Sequence, residues 1–419
     1  MAVAIGIFAA ALALIASERI DRTRVAMLGA LLMLLTQTLT QRQAIDAIDW
    51  GTLGLLAGMM VIVRLTERTG VYTYVAIRAG QLSRGRPLAV FAALAGTTGL
   101  LAAFLDNLTT ILLMVPITFV LADALDVDPI PLIVVEIVAS NIGGTATLIG
   151  DPPNILIAGH TGLSFGAFIT NLAPIVIPTL VVVVGLLYLG YRRRLQVAPA
   201  ARARVMKLDA GGAIVDPAEL RRLLPVLALT MVAFFLHGLV HLEPATVALG
   251  GATIMLLLTR DTTEDALTRG IEWPTIFFFM GLFVMVGALE QTGVLREVAN
   301  GIGSLTGGDR SAEILGITWA SAIGSAFVDN IPFTAAMLPV VDQLQGPGGI
   351  DQAYWWALSL GACFGGNATI IAAAANVAGA GLAARAGRPI TFVTFLKAGI
   401  PATLVSLTLA TAYIALRYL

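Results

Sequence analysis

Two Asp-Asn pairs lie inside apolar stretches long enough to span a membrane. Asp106-Asn107 is followed by Thr109, and Asp329-Asn330 is followed by 331–334 (Ile-Pro-Phe-Thr). A charged side chain at the centre of a bilayer costs about 2.5–3.5 kcal/mol or more, so it should face a cavity, an ion or a partner. Carboxylate, amide and hydroxyl oxygens together suit a small cation, a proton or a polyhydroxylated solute. The structural alternative is that each Asp or Asn only caps a turn.

A glycine pair interrupts two further apolar stretches. The first reads Ser140-Asn141-Ile142-Gly143-Gly144-Thr145-Ala146-Thr147 and continues to Asp151-Pro152-Pro153-Asn154, and the second runs from Gly365-Gly366-Asn367-Ala368-Thr369 to Asn376. Glycine and proline pairs break helices. Broken backbone at membrane depth is tolerated only where it lines a cavity or is buried in protein, and the exposed helix ends attract ions. The alternative is a kinked packing helix with small residues for close approach.

The two kinds of motif supply the candidate binding residues. We predict that a substrate or ion binds to their polar side chains and to the glycine backbone. The predicted residues are Asp106, Asn107, Thr109, Ser140, Asn141, Gly143, Gly144, Thr145, Thr147, Asn154, Asp329, Asn330, Gly365, Gly366, Asn367, Thr369 and Asn376. No metal ligand and no cofactor are predicted, and the single cysteine excludes both an internal disulfide and a cysteine-rich metal site.

The composition places these motifs in a membrane protein. The chain is 58% hydrophobic and only 12% charged, whereas an ordinary soluble domain is about 25% charged. We therefore expect a multi-pass, all-α protein of the cell (inner or plasma) membrane, with about ten to twelve crossings. The apolar runs 88–122 and 312–343 are too long for one helix, and each is expected to hold a helix plus a re-entrant hairpin. The net charge of −1 gives no indication of nucleic-acid binding, which a strongly basic chain would suggest.

An internal repeat relates the two halves of the chain. An offset of 223 places Trp50 on Trp273 and Asp106-Asn107 on Asp329-Asn330, and an offset of 222 places Gly143-Gly144 on Gly365-Gly366. We predict a first repeat over 1–190, a basic cytoplasmic connecting loop over 191–222, and a second repeat over 223–419. Secondary transporters are often built from two such repeats with a site near the midplane, and we expect the repeats to be inverted.

The repeats differ at positions that could carry protons. At the offset of 222, Asp151 corresponds to Ala373, so the first half has an extra acid. We predict proton coupling by Asp106, Asp329 and Asp151, although Asp151 could instead be a helix-end residue. Glu136 stands opposite Leu358, and for this acid we favour a helix-end residue that reaches for the membrane interface.

The motifs together resemble those of the arsenite pump and sodium-proton antiporter permeases. This group belongs to the ion transporter superfamily, with the citrate and dicarboxylate carriers and the pink-eyed dilution (P) protein. The resemblance covers nearly the whole chain. It implies a scaffold part and a transport part, two re-entrant hairpins, two broken helices, homodimers and an elevator-like movement.

The favoured function is proton-coupled efflux of arsenite or antimonite. Arsenite is mostly an uncharged trihydroxy acid near neutral pH, so amides, hydroxyls and carboxylates could bind it through hydrogen bonds. A sodium-proton antiporter and an organic anion or dicarboxylate transporter are the alternatives. The expected partners are membrane lipid, a small inorganic solute or ion, and a proton or sodium. No phosphate-binding loop with a Gly-Lys-Ser/Thr signature occurs in the sequence, so an ion gradient or a separate ATPase subunit must supply energy, and we predict no enzymatic activity.

Overall fold

The computed structural model describes residues 1–17, 19–260, 262–345 and 350–419. In this part of the chain all regular structure is helical, with a single 3-10 turn at Gly211–Ala213. The helices are α1 (Ala2–Ala16), α2 (Arg22–Leu35), α3 (Gln41–Asp46), α4 (Trp50–Arg68), α5 (Val71–Leu82), α6 (Pro87–Ala102), α7 (Asn107–Leu125), α8 (Ile130–Gly144), α9 (Pro152–Thr161), α10 (Phe165–Tyr191), α11 (Pro199–Met206), α12 (Pro217–Leu236), α13 (Pro244–Leu258), α14 (Thr263–Gly270), α15 (Trp273–Gln291), α16 (Val294–Thr306), α17 (Arg310–Val328), α18 (Asn330–Gln345), α19 (Gln352–Gly365), α20 (Ala374–Arg385) and α21 (Phe392–Tyr418). The predicted all-α class is confirmed.

Six of these helices are long and apolar enough to cross a membrane. They are α4, α7, α10, α15, α17 and α21, and four shorter apolar helices accompany them: α1, α6, α8 and α13. Large apolar side chains also cover the outside of the bundle, as at Val181, Leu257 and Leu416, which are 67%, 79% and 89% exposed. An apolar exterior of this kind is stable in lipid and would be a liability in water.

The repeat extends to the ends of the helices. α4 to α7 of the first half begin 223 residues before α15 to α18 of the second, and α8 and α9 begin 222 residues before α19 and α20. α10 and α21 are each 27 residues long. The predicted connection over 191–222 holds α11, the 3-10 turn and the first residues of α12. Its cytoplasmic location stays a prediction.

Each repeat contains one helical hairpin and one broken helix. Hairpin 1 is α6 and α7, and hairpin 2 is α17 and α18; broken helix 1 is α8 and α9, and broken helix 2 is α19 and α20. The apolar runs expected to hold a helix plus a hairpin each hold the two arms of a hairpin alone. The reason is that a turn at 103–106 and another at Asp329 divide each run into two helices of 16 to 19 residues.

The halves pack on each other reciprocally. α4 packs on α13 while α15 packs on α2, and α7 packs on α20 while α18 packs on α9. The closest crossings use equivalent residues. A Cβ added at Gly58 would lie 2.7 Å from the backbone of Ala248, and one added at Gly281 would lie 2.7 Å from the backbone of Ala26. A twofold relation between the repeats produces this pairing, as expected for an inverted repeat.

The reciprocal crossings predict a matched pair of stability effects. Gly58→Ala and Gly281→Ala should each destabilise the protein by about 1–3 kcal/mol, because the added methyl meets backbone that cannot turn aside. Thermal unfolding in detergent, followed by tryptophan fluorescence, measures the loss. Gly250→Ala is the control, since nothing lies within 4 Å of its Cβ position. Equal stability of the Gly58 and Gly250 variants would contradict the close crossing.

Candidate functional site

The turns of the hairpins and the gaps of the broken helices meet in one buried polar centre. The Asn107 amide donates to Oδ1 of Asn141 at 3.3 Å. The Asn141 amide in turn donates to Oδ1 of Asn367 and of Asn376, both at 2.9 Å. The two bonds from Asn141 to Asn367 and Asn376 join the first repeat to the second. The structure therefore brings four of the predicted amide side chains into one network.

The asparagines at the second half of each broken helix hold the interrupted backbone. The amide of Asn154 donates to the carbonyls of Thr145 (3.0 Å) and Thr147 (2.8 Å). The amide of Asn376 likewise donates to the carbonyls of Gly366 and Thr369, at 2.7 and 2.8 Å. A broken helix leaves carbonyls without an intrahelical partner, and these amides satisfy them. Asn154 and Asn376 therefore shape the gap.

The predicted hydroxyl groups are also engaged with backbone. Thr147 donates to the carbonyl of Ala103, and its repeat equivalent Thr369 donates to the carbonyl of Ala326 at 2.7 Å. Both bonds tie a gap to the turn of the hairpin beside it. The hydroxyls of Ser140 and Thr145 donate to carbonyls four or fewer residues earlier in the chain. Each of these hydroxyls keeps only acceptor capacity for a ligand.

Glycine is required where the broken helices touch the hairpins. A Cβ at Gly143 would lie 2.2 Å from the carbonyl oxygen of Gly99, and a Cβ at Gly365 would lie 2.5 Å from that of Ala322. A Cβ at Gly144 would lie 2.3 Å from Oδ1 of Asn107. Gly366 is roomier, since its closest contact is 3.1 Å. Three of the four predicted glycines thus permit the close approach that brings the motifs together.

Asp151 occupies the middle of this centre. Its side chain is 0% exposed, and its Oδ1 accepts a hydrogen bond of 3.2 Å from the amide of Asn330 in the other repeat. Oδ2 of Asp151, Oδ1 of Asn107 and Nδ2 of Asn367 make no hydrogen bond of good geometry among the described residues, although the Cys363 thiol lies beside the Asp151 carboxylate. Buried polar atoms are nearly always paired, so three exceptions in one place indicate groups that a ligand can satisfy.

The two Asp-Asn motifs adopt different conformations. Asp106 is the N-cap of α7 and accepts the backbone N–H of Thr109 at 2.9 Å. The residue equivalent to Thr109 is Pro332, which has no N–H to donate. Asp329 instead accepts the N–H of Ile331 at 3.1 Å and has φ of 84°. A non-glycine residue in this region costs about 1–3 kcal/mol.

An arginine at the start of α2 faces Asp329. Arg22 begins α2, and its Nη1 lies 3.5 Å from Oδ2 of Asp329. The guanidinium also lies 5.1 Å from the ring centre of Phe278 in α15. Because α2 and α15 pack on each other, Arg22 links this helix pair to the turn of hairpin 2.

Two cavities flank Arg22. The smaller has a volume of about 50 Å³, and its polar lining is formed by Arg22, Asp106, Asn107, Asp151, Glu272, Thr275 and Asn330. The larger has a volume of about 400 Å³ and lies against Arg22 and Asp329. A cavity needs a volume of about 10–15 Å³ to hold one water molecule, so the smaller cavity suits an ion or a solute of a few atoms. Three acids and one arginine line it.

Arg22 and Glu272 line the centre but are not among the residues predicted from the sequence. Arg22 stands at the edge of the second apolar stretch, where a basic residue is typical of a membrane flank. Its repeat equivalent is Pro244, so the internal repeat contains no second arginine that would have drawn attention to this position. Glu272 precedes Trp273 just as Asp49 precedes Trp50, and this repeated acid before a helix was the available signal. Among the described residues no three His, Cys, Asp or Glu side chains are arranged to hold a metal ion.

Comparison with known proteins identifies relatives over the whole chain. Residues 12–361 match the model of the citrate transporter family. An uncharacterized transporter of Mycobacterium bovis is 42% identical, over 99% of this chain and 98% of its own length. The 46 kDa membrane protein of Mycobacterium leprae is 40% identical, over 100% and 99%. The human P protein is 32% identical over 98% of this chain, which covers 59% of that longer protein.

A solved structure supports the fold. The crystal structure of the Alcanivorax borkumensis YdaH transporter, which has an unusual topology, matches with a TM-score of 0.61 and 17% identity. The match covers 92% of this chain and 88% of that one. At this identity the likeness concerns the fold alone. The resemblance inferred from the motifs, the helical membrane fold and the multi-pass membrane location are confirmed, and the chain belongs to the citrate transporter family of membrane transporters.

Proposed function

We propose that this transporter exports a small polar solute in exchange for protons, with Asp151 as the proton-binding group and arsenite or antimonite as the solute. One observation carries the proposal. The Asp151 carboxylate is fully buried where the two repeats meet, and its hydrogen-bonding neighbours among the described residues are uncharged donors, the side chains of Asn330, Asn107 and Cys363. A carboxylate at this depth is stable only when a proton, a cation or a hydrogen-bonding ligand accompanies it.

The unpaired atoms of the centre fit a trihydroxy acid. Oδ2 of Asp151 and Oδ1 of Asn107 accept hydrogen bonds, and Nδ2 of Asn367 donates them. Asp151 and Asn107 line the smaller cavity, so a solute with three O–H groups that enters it can donate to the unpaired oxygen of each. The only cysteine, Cys363, is fully buried, so capture by three thiolates has no basis in this chain.

The charges around the smaller cavity argue against a strongly anionic solute. Asp106, Asp151 and Glu272 oppose the single guanidinium of Arg22. A tricarboxylate such as citrate, the solute in the name of the family, would meet net repulsion there unless the acids were protonated. Citrate is nevertheless included in the experiment below.

Coupling follows if a proton and the solute compete for Asp151. A protonated carboxyl group has lost one acceptor site for the solute. The proton and the solute therefore weaken each other's binding by the same free energy. Asp106 and Asp329, which the sequence also suggests for coupling, are engaged with Thr109 and Arg22. We propose that neither carries the coupled proton and that both have structural roles, Asp106 as the cap of α7 and Asp329 as the partner of Arg22.

The acids around the cavity also favour a second candidate, a sodium-proton antiporter. Hard cations prefer carboxylate and amide oxygens, and Asp151 and Asn107 each present an unpaired one. Sodium-driven proton movement without any added solute would support this candidate over arsenite efflux.

The variant Asp151→Asn tests the role of the buried carboxylate. We expect this variant to bind solute but to lose solute-driven proton movement, because an amide cannot exchange a proton. The measurement uses proteoliposomes that contain a pH-sensitive dye, with arsenite, antimonite, citrate and sodium added separately. Asp106→Asn is the matched control, since asparagine caps a helix as well as aspartate does, and it should retain coupling.

Each outcome of this experiment has a defined meaning. Proton movement on addition of arsenite that Asp151→Asn abolishes supports the proposal. Undiminished coupling in Asp151→Asn contradicts the role of Asp151. A response to citrate alone would overturn the solute assignment, and a response to sodium alone would favour the antiporter.

A second prediction concerns movement between the two parts of the protein. We propose that α2, α4, α13 and α15 form the scaffold and that the hairpins and broken helices move against it. Joining Arg22→Cys to Asp329→Cys with a short cleavable thiol cross-linker, in a Cys363→Ala background, should then stop transport. Cleavage of the linker should restore it. Transport at the full rate while cross-linked would contradict movement at this contact, and each single-cysteine variant treated with the reagent is the control.

A further inference from the structure

A second acid is buried in the first repeat, outside the polar centre. Glu136 is the seventh residue of α8 and is 0% exposed. The hydroxyl of Thr118 in α7 donates to its Oε1 at 2.5 Å, and its Oε2 has no partner among the described residues. The expectation that Glu136 is a helix-end residue reaching for the interface is wrong, because it lies in mid-helix and is covered by neighbouring helices.

The second repeat shows that packing does not require this acid. The residue equivalent to Glu136 is Leu358 in α19, and the residue equivalent to Thr118 is Val341 in α18. Both are 0% exposed and occupy the same crossing between a hairpin arm and a broken helix. Two aliphatic side chains therefore fill this place in the fold. The polar pair in the first repeat needs another explanation, since an intramembrane acid costs free energy.

The position of Glu136 along α8 suggests that explanation. At 1.5 Å per residue, Glu136 lies about 9 Å from the start of the helix at Ile130 and about 7.5 Å from Asn141. The start of α8 is close to the basic connection, where Arg194 lies 3.9 Å from Asp128. Glu136 thus stands between the polar centre and the face that we expect to be cytoplasmic.

No other charge accompanies Glu136. The helices packed on α8 are α6, α7, α10, α19, α20 and α21. Their ionisable residues are Asp123, Tyr188, Tyr191, Tyr354, Cys363, Arg385, Lys397, Tyr413, Arg417 and Tyr418. Within the described part of the chain none of them forms an ion pair or a hydrogen bond with Glu136. The carboxyl group is therefore free to gain or lose a proton without breaking a salt bridge.

We propose that Glu136 is a second proton-binding site, separate from Asp151, which carries one further proton in each transport cycle. The step forms and breaks one O–H bond at the carboxyl group and needs no other reactant. Protons enter as the solute leaves, so the acid gains its proton outside and loses it to the cytoplasm. The proposal rests on proton-coupled export as proposed above.

The test is the number of protons that balance a solute gradient. Proteoliposomes with the membrane potential clamped at zero are given a pH difference of one unit, and the arsenite ratio at which net flux stops is measured. For a neutral solute this ratio is about hundredfold with two protons and about tenfold with one. We expect the two-proton ratio for the wild type and the one-proton ratio for Glu136→Leu, which copies the second repeat, and for Glu136→Gln, which keeps the bond from Thr118.

The outcomes separate this proposal from the one above. A one-proton ratio in the wild type, or a two-proton ratio in either Glu136 variant, overturns the site at Glu136 while leaving Asp151 in place. Because the solute is proposed to compete with a proton only at Asp151, the Asp151→Asn variant should move the Glu136 proton with and without solute and accumulate no solute. Solute accumulation that persists in Asp151→Asn therefore overturns the proposed function instead. Since leucine already fills the equivalent position, Glu136→Leu is expected to fold, and the isosteric glutamine variant supplies the same comparison should it not.

Discussion

Every helix that is broken inside the membrane must have its backbone polar groups hydrogen-bonded within the protein, and this constraint governs the structure. A helix interrupted in lipid leaves carbonyls and amides that water cannot reach, and each unsatisfied group is costly. Asn154 and Asn376 meet this requirement, each with two hydrogen bonds from one amide to the carbonyls of its own gap. Thr147 and Thr369 then fix the gaps to the hairpin turns. Because these side chains satisfy the backbone of the gaps, the remaining polar atoms of the centre are available to a ligand.

The two repeats build the same frame and then use it differently. The residues that close the backbone are shared between the halves, as are the glycines Gly58 and Gly281 at the helix crossings. The residues that face the centre are shared only in part, because Asn107 matches Asn330 whereas Asp151 stands opposite Ala373 and Asn141 opposite Cys363. The extra acid of the centre therefore belongs to the first repeat alone. Both proposed proton sites, Asp151 and Glu136, are differences.

The sequence predicted the fold well because its signals are local. Gly-Gly and Pro-Pro break helices wherever they occur, and the matched spacing of rare residues located equivalent helices to the residue. The contacts of the site were less predictable. Asn154 and Asn376 are predicted to bind substrate, and the structure adds that their amide N–H groups are committed to backbone carbonyls, because a motif does not reveal which way an amide points. The bond from Asn330 to Asp151 joins residues 179 apart in the sequence, and only the packing of the two halves brings them together.

The difference between the hairpin turns follows from one substitution. In hairpin 1 the third residue of α7 is Thr109, whose N–H and hydroxyl both bind Asp106 and hold its carboxylate on the helix end. In hairpin 2 the corresponding residue is Pro332, so Asp329 loses that donor and turns into a conformation that costs free energy in itself. Its free oxygen is then available to Arg22, and an ion pair this poorly exposed to water is stronger than one at the surface. A proline at one helix start thereby makes one of two similar motifs a helix cap and the other a contact with α2.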